Sequence, residues 1–412
     1  MNKSPRLVAL ETLYSIFYDD SYSNIALDKA LSEIKENKAF ISALVYGVTE
    51  RKITLDYFID KYAQGRIKPK VRIVLWLGVY QLLFMDKVPS SASINESVKL
   101  VKEIKQDYYS KLVNAVLHKI DNDRQIPDDL SVKYSVPENL INMWKKQYGE
   151  DVLNEFLPCI NDKPPLFAIP NKKFVNSDEL LYELECDGIL GEAYDEFVLI
   201  ENANDLTDSK AFKNGLFYIE DLSSFNCANA LDALGDDLVL DMCSAPGGKA
   251  FTISQSMNNS GKIYCYDLHE HRLNLIKNGA KRLSIDNIFT DVNDATVYNE
   301  NIPKADKILC DVPCSGFGII RRKPEIRYKD LDSVKDLPQI QYKILETSSR
   351  YLKNGGRIIY STCTLNKKEN ENVVNKFLKD HSGYKLLKDK TVFPSTVGGD
   401  GFYYAIMVKN EN

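Results

Sequence analysis

Through residues 1 to about 125, apolar positions recur at helical spacing. The pattern predicts helices at Leu7–Phe17, Ile41–Val48, Leu55–Tyr62, Val71–Met85, Ile94–Ile104 and Tyr109–Ile120. Turn signals at Gln64-Gly65 and Pro89-Ser90-Ser91 separate some of them. Such stripes are buried only helix against helix, so an all-α bundle is expected over 1–125. Asp121–Asp129 is polar, contains Pro127 and reads as a linker. Short amphipathic helices are predicted at Pro137–Tyr148 and Asp151–Asn161, before Lys163-Pro164-Pro165 breaks the pattern. The rest of the 126–218 segment reads as a small mixed α/β subdomain. Its strands are expected at Leu166–Ile169, Phe197–Leu199 and Leu216–Tyr218, with a helix at Ser177–Cys186.

From about residue 219 short apolar runs alternate with amphipathic stretches. Strands are predicted at Leu238–Met242, Lys262–Asp267, Ile288–Thr290, Ile308–Asp311 and Arg357–Ser361. Helices are predicted at Asp221–Leu234, Lys249–Met257, His271–Leu283, Ile340–Leu352 and Lys368–Asp380. Strand–helix alternation implies a parallel sheet covered on both faces, here an α/β domain over 219–412. Phe402–Val408, after a glycine-rich turn, is expected to add a final antiparallel strand.

Composition changes this picture little. The 412 residues, 44% apolar and 10% aromatic, suffice for two or three globular domains. The N-terminus lacks a signal-peptide pattern, and Val71–Met85 is interrupted by Arg72 and Gln81 and too short to span a bilayer. A cytoplasmic protein without a membrane partner is expected. Eight cysteines include no C-x-x-C, and His269-x-His271 has nothing nearby to complete a metal shell, so no metal is expected. The net charge of −5 argues against a nucleic-acid partner, but its distribution does not. Arg51–Arg72 holds seven bases against two acids, and Arg321–Lys329 five against one. Local patches of this kind bind phosphates, although solvated helix faces look the same in sequence.

Candidate chemistry sits where strands end. Asp241-Met242-Cys243-Ser244-Ala245-Pro246-Gly247-Gly248-Lys249 follows the apolar run Leu238–Leu240 and opens a helix, a place where open α/β sheets bind nucleoside cofactors. The turn lacks G-x-G-x-x-G, and Lys249 is followed by Ala250, so neither dinucleotide nor Walker-type phosphate binding is favoured. S-adenosylmethionine carries no phosphate and needs neither cradle. Asp267 closes the second strand, where an acid accepts ribose hydroxyls, and Asp294 follows the third, within reach of an adenine amino group. Each acid alone reads equally as a cap or turn former; three after successive strands are harder to dismiss. Two more strand ends carry cysteines, in Asp311-Val312-Pro313-Cys314-Ser315-Gly316 and Ser361-Thr362-Cys363-Thr364. Together they point to methyl transfer onto a pyrimidine. Either cysteine reads as a nucleophile or as a small buried hydrophobe, and the residues alone do not rank them.

These motifs, with Asp400-Gly401-Phe402 near the end, resemble the RNA cytosine carbon-5 methyltransferases of the small-subunit (16S) ribosomal RNA, RsmB/Sun type, with an N-terminal NusB-like domain. The resemblance covers nearly the whole chain. In the helical part it rests on the softer Leu44–Val48, Leu55–Tyr57, Leu75–Met85 and Val113–Leu117. It implies a class I, Rossmann-like methyltransferase fold and S-adenosylmethionine as cofactor. The cofactor would be held by Cys243, Ser244, Ala245, Pro246, Gly247, Gly248, Lys249, Asp267, Arg272, Asp294 and Asp311. Cys363 would attack carbon 6 of cytosine, Cys314 would help release the product, Asp311 would bind the N3/N4 edge, and Lys249 would orient the base or thiolate. DNA cytosine methyltransferases use the Pro-Cys cysteine for attack, so exchanged roles stay open. Arg321, Arg322 and Lys323 would hold flanking phosphates. Ribosomal RNA is the expected partner, and one site per chain is compatible with a monomer. Transfer RNA is the competing substrate, and a non-catalytic RNA-binding factor the alternative of another class. The chain departs from the family at Phe167–Asn171, where an arginine is usual, at Glu220, where glutamine is usual, and at Ser244, where alanine is more frequent.

Overall fold

In the computed structural model, which describes residues 3–202, 206–394 and 398–411, the chain divides into two compact units. One comprises 1–162 together with 320–331, the other 163–319 and 332–412.

The first unit is helical: α1 (Pro5–Tyr18), α2 (Ser23–Ser32), α3 (Lys38–Tyr62), α4 (Pro69–Phe84), α5 (Ser90–Glu103), α6 (Ser110–Asp121), α7 (Leu130–Tyr134), α8 (Glu138–Tyr148) and α9 (Glu150–Phe156). The two stripes at 41–48 and 55–62 lie on one 25-residue helix, α3. The polar residues Thr49–Lys52 between them contain no breaker and continue the turn. The predicted 151–161 helix is cut at Phe156, because Pro158 starts a 3-10 turn over Leu157–Asn161. Helix α2 was not expected; it buries Leu27 but leaves Ile25 exposed, so its apolar stripe is too thin to read. The core gathers Val45, Phe58, Val74, Leu75, Trp76 and Leu117, all buried.

Residues 320–331 complete this unit. Arg327 is buried and donates to the carbonyls of Glu50 (2.9 Å) and Ser135 (3.2 Å) and to Asn161 Oδ1 (2.9 Å). Tyr328 donates to Thr49 O at 2.7 Å, and Glu325 accepts the Ser23 amide at 3.2 Å. The Arg321–Lys329 patch is therefore in part structural, while Arg322 and Lys323 stay partly exposed. Arg327 serves the fold, Arg321 is also buried, and Lys323 lies over the Tyr22 ring. Three of the seven bases of the Arg51–Arg72 patch are paired within the unit. Lys52 and Arg72 pair with Asp56, Arg72 also with Asp60, and Lys61 with Asp123.

The second unit opens with a small antiparallel sheet, β1 (Leu166–Pro170), β2 (Gly191–Ala193), β3 (Val198–Ile200) and β4 (Phe217–Ile219), in the order β2-β3-β1-β4. Helices α10 (Ser177–Cys186) and α11 (Lys210–Lys213) accompany it. The large sheet has seven strands: β5 (Leu238–Asp241), β6 (Lys262–Asp267), β7 (Ile288–Val292), β8 (Ala305–Asp311), β9 (Leu352–Thr362), β10 (Tyr384–Val392) and β11 (Phe402–Lys409). Their order is β10-β11-β9-β8-β5-β6-β7. Pairings among β5 to β9 are parallel, and β11 runs antiparallel to β9 and β10, as expected for the last strand. The remaining helices are α12 (Leu222–Asn229), α13 (Gly248–Ser256), α14 (Glu270–Arg282), α15 (Leu337–Ser349) and α16 (Glu371–Asp380). Two apolar clusters flank the sheet. One is built on Leu309, Ile359 and Phe251, the other on Leu240, Ile308, Tyr360 and Phe377.

Candidate active site

The chain leaves β5 toward β6 and β7 on one side, then returns to place β8 and β9 on the other. At this reversal the carboxyl ends of β5 and β8 form the crevice where α/β sheets bind ligands. Asp241 ends β5 and Asp311 ends β8. Gly247, with φ +111°, caps α13 in a backbone region that side-chain-bearing residues avoid. Its turn lines a cavity of about 380 Å³ with Cys243, Ser244, Gly248, Lys249 and Glu220.

Asp241 is buried, and its carboxylate has only the Ser244 hydroxyl and the Cys243 amide beside it, neither at full hydrogen-bond geometry. Burial pushes the Asp241 carboxyl up to about 7. Buried polar atoms left poorly partnered at a cavity wall mark a place that a polar ligand satisfies.

Across the crevice Lys249 Nζ lies 2.7 Å from Asp311 Oδ2, and Ser361 donates to Asp311 Oδ1 at 2.8 Å. Burial alone would pull the Lys249 pKa down. The carboxylates of Asp311 and Glu220 outweigh it and hold the ammonium charged, with its pKa above the ordinary lysine value. Lys249 also sits 5.4 Å from the centre of the Phe402 ring, which brings the Asp400-Gly401-Phe402 segment to the site. Glu220 is buried over the start of α13. It accepts from Thr252 Oγ1 at 2.6 Å, and burial raises its carboxyl to about 7.

The two singled-out cysteines meet: Cys314 Sγ and Cys363 Sγ are 3.1 Å apart, both partly exposed. The hydrogen bond with Cys363, and then burial, raise the Cys314 thiol well above its ordinary value. Their neighbours are joined as well, with Ser315 Oγ 2.7 Å from Thr364 Oγ1. Cys227, Cys265 and Cys310 are fully buried, and burial pushes Cys227 and Cys310 up to about 12, so they read as inert core residues.

Among the remaining expected residues, Asp267 is buried at the end of β6. Arg272 ties it to the cofactor turn, 3.2 Å from Asp267 Oδ2 and donating to Ala245 O at 3.0 Å. Asp294 is exposed; its Oδ1 accepts from the amide and hydroxyl of Thr296, and it does not line the cavity. His269 and His271 stack on each other at the start of α14. Among the described residues no group of three or more His, Cys, Asp or Glu is placed to hold a metal ion, and no helix is long and apolar enough to cross a membrane. Sequence reasoning missed Glu369, a fully buried carboxylate behind both cysteine loops. Its only signal is its place six residues beyond Cys363, in a polar run that reads as the start of a helix.

Comparison with known proteins settles the family. Over 98% of its length the chain is 33% identical to the "Probable ribosomal RNA small subunit methyltransferase B" of Bacillus subtilis (strain 168), covering 99% of that protein. The chain belongs to this methyltransferase family. It is 29% identical to "Ribosomal RNA small subunit methyltransferase B" of Photorhabdus laumondii, over 93% of this chain and 94% of that one. Residues 228–408 match the model of the 16S rRNA methyltransferase RsmB/F family, and residues 3–122 that of the NusB family. Among solved structures, "Crystal Structure of PH0851" superposes with a TM-score of 0.83 at 27% identity, covering 99% of this chain and 100% of that one. A "Methyltransferase Homolog Protein from Pyrococcus Horikoshii" gives 0.60 at 26% identity, covering 68% and 98%. The NusB-type helical domain and Rossmann-like methyltransferase domain implied by the sequence are thus present.

The family's cofactor is S-adenosylmethionine, and the site suits it. The buried Asp241 and Ser244 groups, poorly satisfied by the chain itself, suit polar atoms of a ligand, Asp267 offers a carboxylate where such sheets hold a ribose, and the turn has no phosphate cradle.

Proposed function

We propose that this protein forms 5-methylcytosine in small-subunit ribosomal RNA through a covalent cysteine–cytosine adduct. The observation that carries the reading is a pair of thiols 3.1 Å apart at the carboxyl edge of the sheet. The strands that deliver them, β8 and β9, also deliver Asp311 and Ser361.

Carbon 5 of cytosine is a poor nucleophile until a thiolate adds at carbon 6. Cys363 takes that role in this reading. The family resemblance assigns it this role; the contact with Cys363 and burial raise the Cys314 thiol, which fits Cys314 as the partner that stays protonated. A carboxylate that accepts from Lys249 and Ser361 has acceptor capacity left for the cytosine N4 amino group, the pairing a carboxylate makes with cytosine. Asp311 in this way would orient the ring and favour protonation at N3, which offsets the negative charge that thiolate addition brings into it. Bound S-adenosylmethionine supplies an electrophilic methyl group for carbon 5. A base then takes the carbon-5 proton, the electrons of that bond restore the carbon 5–carbon 6 double bond, and the Cys363 sulfur departs from carbon 6 as a thiolate with Cys314 assisting. The base reaches these groups only out of its stack, at a cost of a few kcal/mol, on the order of 2–4, and less in a loop or bulge.

Transfer of label from S-adenosylmethionine to small-subunit ribosomal RNA from cells lacking the gene, with bisulfite mapping, tests the reading directly. One methylated cytidine is the expected result; transfer to transfer RNA alone would overturn the substrate. Cys363→Ala is expected to abolish turnover, and Cys314→Ala to accumulate a protein–RNA adduct that survives denaturation. Adduct accumulation in Cys363→Ala would mean the roles are exchanged.

A further inference from the structure

Behind the two cysteines, Glu369 lies fully buried, and its carboxylate accepts four hydrogen bonds. The Ser315 amide and the Gln341 Nε2 donate to Oε2 at 2.9 and 3.0 Å; the Ser315 hydroxyl and the Asn366 Nδ2 donate to Oε1 at 2.6 and 2.8 Å. Two of these donors belong to the residue that follows Cys314. Gln341, from α15, also donates to Pro313 O at 3.0 Å, on the other side of the same cysteine. Glu369 itself stands in the loop that follows Cys363, and Tyr360 of β9 donates to its carbonyl. The same loop is tied back by Asn370, which accepts from Thr362 Oγ1 at 2.6 Å and donates to Thr364 O at 2.8 Å.

We infer that Glu369 is a positioning residue: its carboxylate clamps the loop carrying Cys314 to the loop carrying Cys363 and sets the distance between the two sulfur atoms. A buried carboxylate is expensive unless its lone pairs are filled, and here each oxygen has two donors. Removing it takes the shared acceptor from four buried donors, two of which keep a second partner in Thr364 Oγ1 and Pro313 O, and the Cys314 loop would relax toward such partners. The inference rests on the reading of these cysteines as nucleophile and releasing group, but its geometry is testable without RNA or methyl transfer.

The test is the rate at which the purified full-length protein closes a Cys314–Cys363 disulfide with an azodicarboxamide oxidant. The two thiols give up two protons and two electrons, the S–S bond forms, and the azo group is reduced to the hydrazine. Peptide mapping by mass spectrometry assigns the linkage and separates it from reaction at the exposed Cys186. The wild-type protein is expected to close this bond rapidly. Glu369→Ala is expected to close it about tenfold more slowly, the scale of one lost charge-assisted hydrogen bond. Its affinity for S-adenosylhomocysteine, read by calorimetry, should be unchanged, and its methyl transfer should fall in kcat and not in KM for the cofactor. Thr364→Val keeps the shape and removes the Ser315–Thr364 bond and the Phe317 amide's acceptor. It should slow closure in the same direction and decides the matter if Glu369→Ala no longer binds S-adenosylhomocysteine. Closure at the wild-type rate in a variant that still binds S-adenosylhomocysteine overturns the clamp. Slowed closure in a protein that methylates no cytosine would keep the clamp and overturn the proposed function instead.

Discussion

At the scale of single residues, Glu220 shows how burial gives a substitution its consequence. In sequence it is one acid beside another, Asp221, just after a short apolar run. In the structure it is buried beside Lys249, with Asp221 and Asp311 as further charges and Thr252 as hydrogen-bond donor, and its carboxyl rises from an ordinary 4.5 to about 7. Below pH 4.5 it is protonated in both folded and unfolded chains. Between 4.5 and 7 only the folded protein keeps the proton, so raising the pH costs stability until the carboxyl ionises in both states. Stability present at low pH is therefore lost as pH rises through 7, by an amount on the order of 3 kcal/mol. Glu220→Gln cannot ionise and still accepts from Thr252. It is expected to match the wild type near pH 5 and to exceed it at pH 8 by roughly 2–3 kcal/mol, with the part of the pH dependence due to Asp241 retained. Pulse proteolysis in urea at both pH values measures this, and parallel pH profiles would sink it. The cysteines teach a related lesson. Their motifs placed both at strand ends, but that the two sulfurs meet is a property of two loops 49 residues apart.

At the scale of elements, the legible parts were those with a single strong period. The helical stripes of the first unit and the β–α alternation of the second were read correctly in kind, because burial on one face or on both leaves a repeating signature. Strand β10 escaped notice. It is an edge strand with a bulge near Leu386 and lysines along it, the composition that keeps an edge from pairing further and erases the alternation. The cysteine loops were visible as motifs, yet what holds them was not, since it depends on backbone contacts between distant segments. Gly318 is an example: its amide donates to Cys363 O at 3.0 Å and its carbonyl accepts from the Gly401 amide at 2.9 Å. A Cβ there would lie 1.9 Å from Gly401 O and 2.8 Å from Cys363 O, both backbone atoms with no rotamer to yield. Gly318→Ala is expected to displace the Cys314 loop at a cost of about 1–3 kcal/mol and to lower the methyl-transfer rate by about 10–100-fold. Gly383→Ala, where an added Cβ meets nothing within 4 Å, is the control and should leave the rate unchanged. Equal rates in the two variants would refute the role given to this crossing.

At the scale of the whole molecule, the helical unit is completed by twelve residues that the chain reaches only after β8 and the Cys314 loop. Charge made Arg321–Lys329 look like a phosphate-binding strip, and sequence could not reveal that Arg327 joins the Glu50 carbonyl of helix α3 to the Ser135 carbonyl and Asn161 Oδ1. A guanidinium fits there because its planar fork serves several acceptors at once, which an ammonium on a flexible stem does not. Burial lowers the Arg327 pKa from its very high ordinary value, and nearby Glu50 opposes that shift, so the group stays charged and its donors stay available. Arg327→Met keeps much of the side-chain volume and removes the charged donor shared by these acceptors, at an expected cost of about 3 kcal/mol. For a unit of this size that lowers the unfolding midpoint by roughly 6–12 °C. The measurement is unusually clean, because the chain has two tryptophans and both, Trp76 and Trp144, are buried in the helical unit. Tryptophan emission therefore follows that unit alone, while retention of S-adenosylhomocysteine on heating follows the other. Arg327→Met should shift the first transition down by this amount, and Arg327→Lys by somewhat less. An unshifted tryptophan transition would mean that the segment is anchored by Tyr328 and Glu325 and that the buried guanidinium adds nothing to the stability of the helical unit.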